Sequence, residues 1–193
     1  MSNNLPHIGQ VTTMRFDDLQ IRLARGGRSE GIPILLTSPW PESIYAFRGV
    51  IPAIEALGPL IAIDQPGFGR SEGRADLMKP EAMGGFVVKV AEHLGIKRMH
   101  AVGPDVGTSA LLFAAVRKPG LFESLVVGSG ATSPELATGG LKDLIEAPAG
   151  AFDHLEGGDV GVEFVTQSAV IATTVFRRSP VCGGRRVCPG LPA

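Results

Sequence analysis

Short apolar runs alternate with helix-like stretches along the first two thirds of the sequence, and this alternation constrains the fold more than any other feature. Each run has the length and the aliphatic content of a buried strand, and the stretches between them carry apolar residues at helical spacing. Strands that alternate with helices in this way predict the α/β class, a mostly parallel sheet with helices on both faces. The runs are Ile34–Thr37, Leu60–Ile63, Met99–Val102 and Leu121–Val127, and the helical stretches are Ile44–Leu57, a segment from Pro80 to Leu94, and Thr108–Lys118.

The N-terminal part of the chain has a different pattern. Val11–Phe16 and Leu19–Ala24 flank the pair Asp17-Asp18, which predicts an antiparallel hairpin. After Gly130 the sequence becomes richer in Gly, Pro and acidic residues, and its last part has no periodicity. We therefore predict three regions: part of an α/β core over residues 1–131, a partial lid over 132–176, and an irregular, disordered tail over 177–193.

The composition is that of a globular protein with no bias toward a charged partner. Of the 193 residues, 44% are hydrophobic and 19% are charged, and 18 Lys and Arg balance 19 Asp and Glu. This balance argues against nucleic acid or an anionic membrane as a partner. No apolar run is long enough to span a bilayer, and MSNNLPHIGQ lacks the profile of a secretory signal, so we expect a cytoplasmic protein. Cys182 and Cys188 form a poor zinc site; free thiols are expected in the cytosol, and a local disulfide is the alternative under oxidising conditions.

Asp105 stands between two glycines at the apex of a predicted strand-turn-helix, in the segment VGPDVGTSA from Val102 to Ala110. This arrangement raises a side chain above the C-terminal edge of a sheet, and the flanking glycines relieve the crowding around a strained backbone. The turn also aims the next N–H group and the positive end of the helix at the raised side chain. Such a carboxylate can attack an electrophile, and the N–H groups can stabilise the charge that develops. The alternative is an Asp that merely caps the helix.

Three segments, in this order and spacing, resemble the α/β-hydrolase superfamily. SPWPESIYAFRGVIPAI, which begins at Ser38, resembles its H-G-x-P loop and the following helix, and DQPGFGRSEG, which begins at Asp64, resembles the D-x-P-G-x-G-x-S loop after the fourth strand. VGPDVGTSA is similar to the nucleophile elbow, G-x-Nu-x-G, with Asp105 as the nucleophile. An Asp at this position resembles the epoxide hydrolase and haloalkane dehalogenase branch of the superfamily.

The resemblance implies covalent catalysis on a small hydrophobic epoxide or haloalkane, without a cofactor or a metal. Asp105 would attack a saturated carbon to form an alkyl-enzyme ester, which water then hydrolyses. The backbone N–H groups of Val106 and Trp40 would form the oxyanion hole, since only Trp40 has an amide hydrogen in Pro39-Trp40-Pro41. The Trp40 indole either binds a leaving halide or packs. An ester hydrolase is disfavoured, because attack by a carboxylate on an ester would give an anhydride.

Two other features of the same segments have structural interpretations. Asp64 is expected to brace its own loop by hydrogen bonds rather than to take part in catalysis. The glycines of GFGRSEG are not a dinucleotide-binding loop, because they follow a Pro-Gly turn instead of opening a helix and no acidic ribose partner lies at the right distance.

The sequence also departs from the pattern of the family. The base of the family is a histidine after the eighth strand, oriented by an acid after the sixth or seventh, and this chain ends too early for those strands. Only His154 could reach the pocket, and a solvated surface position is the favoured interpretation for it; the others are His7, His93 and His100. Ser38-Pro39 replaces the H-G pair, and the single tyrosine, Tyr45, lies in the first helix and not in a lid. We therefore expect a C-terminally truncated hydrolase with impaired turnover, or a non-catalytic remnant or binding module.

The last predicted strand carries a further expectation. If no strand covers its outer side, Leu121–Val127 is an apolar sheet edge that another chain can pair with. Self-association through this edge is therefore expected.

Overall fold

Six strands form one mixed sheet in the residues described by the structure, a computed structural model that covers 8–40, 42–130 and 148. The strands are β1 Gln10–Phe16, β2 Leu19–Gly27, β3 Ile34–Thr37, β4 Pro59–Ile63, β5 Met99–Pro104 and β6 Phe122–Gly128. Their order across the sheet is β1-β2-β4-β3-β5-β6. Antiparallel pairing joins β1 to β2 and β2 to β4, and β4, β3, β5 and β6 run parallel to one another. The predicted α/β class is therefore confirmed.

The predicted N-terminal hairpin is also confirmed. Phe16 pairs with Leu19, so the turn consists of Asp17 and Asp18 alone. Both have a positive φ, 47° and 66°, which is the backbone conformation that a two-residue hairpin turn of type I′ requires. Asp tolerates this conformation better than most residues, which explains why an Asp pair forms the turn.

Two long helices agree closely with the sequence pattern. The first, Pro80–His93, begins with proline, whose missing N–H is harmless in a first turn. Gly95 follows its end with a φ of +70°, as expected of a residue that stops a helix. The helix Val106–Arg117 begins directly after Asp105.

The expected helix over Ile44–Leu57 is wrong as a single element. The chain forms a 3₁₀ turn at Ile44–Phe47 and then a short helix, Ile51–Glu55, which is α1; the two long helices are α2 and α3. Pro52 explains the break, because a continuous helix would need an N–H from this residue to reach the carbonyl of Arg48. Between the two pieces the backbone forms hydrogen bonds of the 3₁₀ type, which join residues three apart, such as Val50 N–H to the Phe47 carbonyl at 2.9 Å.

Apolar side chains cover both faces of the sheet, as the pattern predicted. On one face, α2 and α3 pack together through residues such as Phe86 and Leu111. On the other face, the 3₁₀ turn and α1 contribute Ile44, Phe47 and Ile51. The short strand β3 shows the alternation that this requires, because Leu35 joins the first cluster whereas Ile34 and Leu36 join the second.

The expected lid and tail lie outside the described residues, apart from Pro148. The sheet belongs to the unit Met1–Glu146. In the ranges 8–40 and 42–130, no helix is long and apolar enough to cross a membrane.

Strand β6 is the outer strand on its side of the sheet. It pairs with β5, and no other strand among the described residues lies beside it. Most of its residues are exposed, including Val126, which is 60% exposed, and Val127. An outer strand with exposed valines is a template for pairing with a second chain.

We expect this edge to drive self-association that depends on protein concentration. Val126→Lys places a charge on the strand and should shift the protein toward the monomer, as measured by light scattering. Val116→Lys is the matched control, because Val116 is 81% exposed on α3, a helix that offers no strand backbone for pairing. A monodisperse monomer of the unaltered protein, or an equal response of both variants, would contradict pairing through β6.

Candidate active site

Asp105 forms the apex of a strained turn between β5 and α3. Its backbone has φ 54° and ψ −123°, a conformation that costs a residue with a Cβ about 1–3 kcal/mol. The side chain makes no capping hydrogen bond to α3, so the helix-capping alternative is wrong. Instead, the Oδ2 atom accepts a hydrogen bond from the backbone N–H of Trp40 at 2.8 Å. The carboxylate is half-buried and points away from its own helix toward the loop after β3.

The hydroxyl of Thr108 holds the turn in place. Its Oγ1 atom lies 2.8 Å from the carbonyl oxygen of Gly103 and 2.9 Å from that of Gly128, and it accepts the N–H of Gly128 at 2.9 Å. The N–H of Asp105 also donates to the Gly128 carbonyl at 2.9 Å. The strained conformation of Asp105 is therefore fixed by the end of β6. Thr108 was missed at the sequence level, because only the fold brings Gly128 beside it.

The two glycines of the G-x-D-x-G motif are required by close packing. A Cβ atom at Gly103 would lie 2.6 Å from the Cδ1 of Leu111 and 2.7 Å from the carbonyl oxygen of Gly107. A Cβ atom at Gly107 would collide with the Oγ1 of Thr37 on β3. The absence of both side chains lets α3 approach the strands closely, and this approach brings Asp105 next to the loop that carries Trp40.

That loop is held by Ser38 and Gln65, which are both fully buried. The Gln65 side chain donates from Nε2 to the Ser38 carbonyl at 2.9 Å, and its backbone N–H donates to the Ser38 hydroxyl at 3.2 Å. Oε1 of Gln65 is buried and has no hydrogen-bond partner among the described residues. Ser38 occupies the place of the histidine in the H-G-x-P pattern and anchors the loop two residues before Trp40.

Asp64 braces its own loop, as predicted, and also joins two other segments to it. Its fully buried carboxylate accepts the N–H of Arg70 at 3.0 Å, within the loop after β4. The same Oδ2 atom accepts Nε of Arg22, on β2, at 2.5 Å. Oδ1 accepts the N–H of Ile44 at 2.6 Å, in the loop after β3. Three segments therefore converge on one carboxylate.

Val106, the other predicted oxyanion-hole donor, and the histidines considered as the base are placed as follows. Val106 is the first residue of α3, where a backbone N–H has no acceptor within the helix. His93 stacks edge-on against Phe16, with the ring centres 4.7 Å apart. The Nδ1 atom of His100 lies 2.7 Å from the Ser124 hydroxyl. His7 and His154 lie outside the described residues.

The described ranges hold no group of three His, Cys, Asp or Glu side chains that could bind a metal ion. Asp64, the most buried carboxylate of this region, already accepts three hydrogen bonds from the protein. The groups that contact the Asp105 and Asp64 carboxylates are N–H donors, which stabilise negative charge.

The sequence matches the alpha/beta hydrolase fold family over residues 32–157, which is more than half of the chain. The chain therefore belongs to this family. The matched range contains the Trp40 loop, the Asp64 loop and the Asp105 turn.

Two curated proteins are similar over parts of their length. The "uncharacterized hydrolase YugF" of Bacillus subtilis (strain 168) is 36% identical over 87 residues, which are 45% of this chain and 32% of that protein. A soluble epoxide hydrolase of Corynebacterium sp. (strain C12) is 33% identical over 97 residues, which are 50% of this chain and 34% of that protein. The matches span about a third of the length of these curated relatives.

Solved structures of hydrolases share the fold. A hydrolase from Pseudomonas aeruginosa PA01 superposes with a TM-score of 0.71 at 17% identity, over 91% of this chain and 64% of that one. A haloalkane dehalogenase variant, DbeA-M1 from Bradyrhizobium elkanii, superposes with a TM-score of 0.57 at 24% identity, over 61% of this chain and 39% of that one. At these identities the likeness establishes the fold alone.

Removal of the Asp64 charge should destabilise the protein strongly. Asp64→Asn leaves the Arg22 guanidinium buried without its counter-ion, and breaking a buried pair costs about 3–5 kcal/mol. The free energy of unfolding, measured by urea denaturation, should fall by this order. Asp76→Asn is the control, because Asp76 pairs with Arg74 at the surface and its side chain is 62% exposed; solvent screens an exposed pair, so its loss should change the free energy of unfolding little. Equal losses in the two variants would contradict the bracing role of Asp64.

The hydroxyl of Thr108 should contribute more to the free energy of unfolding than its methyl group does. Thr108→Val keeps the shape of the side chain but leaves the Gly128 N–H without its acceptor, a loss of about 0.5–1.5 kcal/mol in the free energy of unfolding. Thr108→Ser retains the hydroxyl and should keep most of the stability. A Val variant as stable as the Ser variant would show that the hydroxyl does not hold the turn.

Proposed function

We propose that this chain carries the nucleophilic half of an Asp-dependent hydrolase that acts on a small hydrophobic haloalkane or epoxide. The observation that carries the proposal is the 2.8 Å hydrogen bond from Trp40 N–H to Oδ2 of Asp105, made by a strained residue that does not cap its own helix. The likeness to a soluble epoxide hydrolase supports the same class of reaction.

The two carboxylate oxygens of Asp105 have different roles in this reaction. Trp40 N–H holds Oδ2, and Oδ1 attacks the saturated carbon of the substrate. A carbon–oxygen bond forms, and the bond to the halide breaks with its electron pair. The product is an ester whose carbonyl oxygen is Oδ2, which remains on the Trp40 N–H.

The second step uses the same donors. Water attacks the carbonyl carbon of the ester, and the negative charge that develops on Oδ2 is stabilised by the N–H groups of Trp40 and Val106. This step also needs a base to take a proton from the water. Of the described histidines, His93 packs on Phe16 and His100 lies on Ser124, so neither is engaged with Asp105. We propose that the ester forms and is hydrolysed slowly, since no histidine in the described ranges lies at Asp105 to act as this base.

A haloalkane suits the first step better than an epoxide does. A halide leaves as a stable anion, whereas the oxygen of an opening epoxide needs a proton donor. Tyr45, the one tyrosine of the sequence, lies beside the Arg22 guanidinium, whose Cζ is 5.6 Å from the centre of its ring. Because its ring packs against Arg22, Tyr45 is not assigned as the proton donor for an epoxide oxygen.

The first step can be tested by trapping the ester with 1-bromobutane. The intact protein should gain one butyl group, and peptide mapping by mass spectrometry should place it on Asp105. Asp105→Asn should remove the label, while Asp18→Asn, which changes a carboxylate whose side chain is 86% exposed in the hairpin turn, should retain it. Labelling that is equal in both variants would refute Asp105 as the nucleophile.

The same experiment separates turnover from binding alone. Release of more than one bromide per protein would mean that a base completes the cycle, and His154 is the first residue to substitute. Thermal stabilisation by 1-bromobutane without any label would favour a binding module, since a ligand that prefers the folded state stabilises it. Neither label nor stabilisation would contradict both functions.

A further inference from the structure

A surface cavity of about 510 Å³ lies beside Arg22, the residue that pairs with the buried Asp64. It is lined by residues from β2, from the loop after β3 and from the loop after β4, the three segments that Asp64 joins. Its polar lining is dominated by guanidinium groups, with one acidic side chain at the wall. The residues that matter are Arg22, Arg48, Arg70, Tyr45, Ser43 and Glu42.

Arg22 is held rigidly at this cavity. Its side chain is only 11% exposed, Nε is bonded to Asp64, and its Cζ lies 5.6 Å from the centre of the Tyr45 ring. Nη1 and Nη2 have no hydrogen bond to any residue that the structure describes. A guanidinium that is almost buried needs acceptors for its remaining N–H groups, and the cavity is where an acceptor fits.

The hydrogen bond to Asp64 engages only part of the donor capacity of Arg22. Pairing with Oδ2 uses one N–H of the five that a guanidinium carries. The two terminal nitrogens form a planar fork that matches the two oxygens of a carboxylate or phosphate. Because the Tyr45 ring and Asp64 already fix the plane of this fork, little side-chain entropy remains to be lost on binding.

The charge around the cavity favours an anion. Arg48 donates from Nη1 to the Tyr45 carbonyl at 3.1 Å, which keeps this second cation at the wall. Arg70 supplies a third, and its backbone N–H is fixed on Asp64. Three cations stand against two carboxylates, Asp64 and Glu42, so one positive charge remains uncompensated. A surface cavity with a net positive charge raises the local concentration of small anions.

We propose that this cavity is a binding site for a small oxyanion, the carboxylate or phosphate group of a small molecule. Arg22 binds it through Nη1 and Nη2, and Arg48 and Arg70 close on it from the rim. The site is separate from the reaction proposed for Asp105 and does not depend on it.

Binding can be measured directly with inorganic phosphate and with acetate, each titrated at constant ionic strength by calorimetry. Both variants to be compared keep Arg22, because its loss would leave the buried Asp64 carboxylate without its counter-ion. The double variant Arg48→Gln, Arg70→Gln should weaken binding by about tenfold or more, since it removes two charge-assisted hydrogen bonds to the anion. Arg28→Gln is the control, because Arg28 follows β2 at the opposite end of the sheet.

Saturable binding that the double variant loses and Arg28→Gln retains supports the site, and the ratio of the two affinities identifies the preferred oxyanion. No saturable binding of either anion to the unaltered protein, or equal loss in the control, overturns the proposal. Neither result bears on the labelling of Asp105.

A chemical measurement on the unaltered protein covers the case in which the double variant does not fold. Phenylglyoxal modifies exposed arginines, and mass spectrometry reports the rate at each site. Phosphate should slow the modification of Arg48 and Arg70 several-fold and leave Arg28 unchanged. Uniform slowing, or none, would refute a specific site.

Discussion

One buried carboxylate organises the part of the molecule in which the candidate chemistry lies. Asp64 is removed from water, and such a charge is tolerated only when donors surround it. Its donors come from β2, from the loop after β3 and from its own loop, so the carboxylate is satisfied only when all three segments are in place. The N–H of Ile44 is one of these donors, and the chain between it and β3 carries Trp40. Electrostatic satisfaction at Asp64 thereby limits where the Trp40 N–H can lie.

The second constraint is the strain at Asp105. A non-glycine residue with φ 54° and ψ −123° persists only because its surroundings leave it no alternative. Thr108 and the end of β6 hold the turn from one side, and close packing at Gly103 and Gly107 holds it from the other. As a result, the Asp105 carboxylate accepts a hydrogen bond from the Trp40 N–H of a different loop. The energy for this arrangement comes from ordinary hydrogen bonds and packing nearby.

The sequence pattern predicted the sheet and the turn because both depend on local signals. Apolar runs of strand length and glycines on either side of Asp105 are visible without any knowledge of contacts. The break after Phe47 was missed, because helical spacing continues through Pro52 although the backbone bond does not. Gln65 and Thr108 were missed for another reason. Their partners, Ser38 and Gly128, are distant in sequence, and only the folded sheet brings them within hydrogen-bond distance.

The carbonyl of Gly128 has a consequence that reaches beyond local stability. It accepts the N–H of Asp105 while belonging to the outermost described strand, so the Asp105 turn and the edge of the sheet share one peptide group. A strand that docked along β6 and tilted this peptide would also rotate the backbone of Asp105 and shift its carboxylate against Trp40. Under the proposed function, docking at this edge would therefore change the reactivity of Asp105.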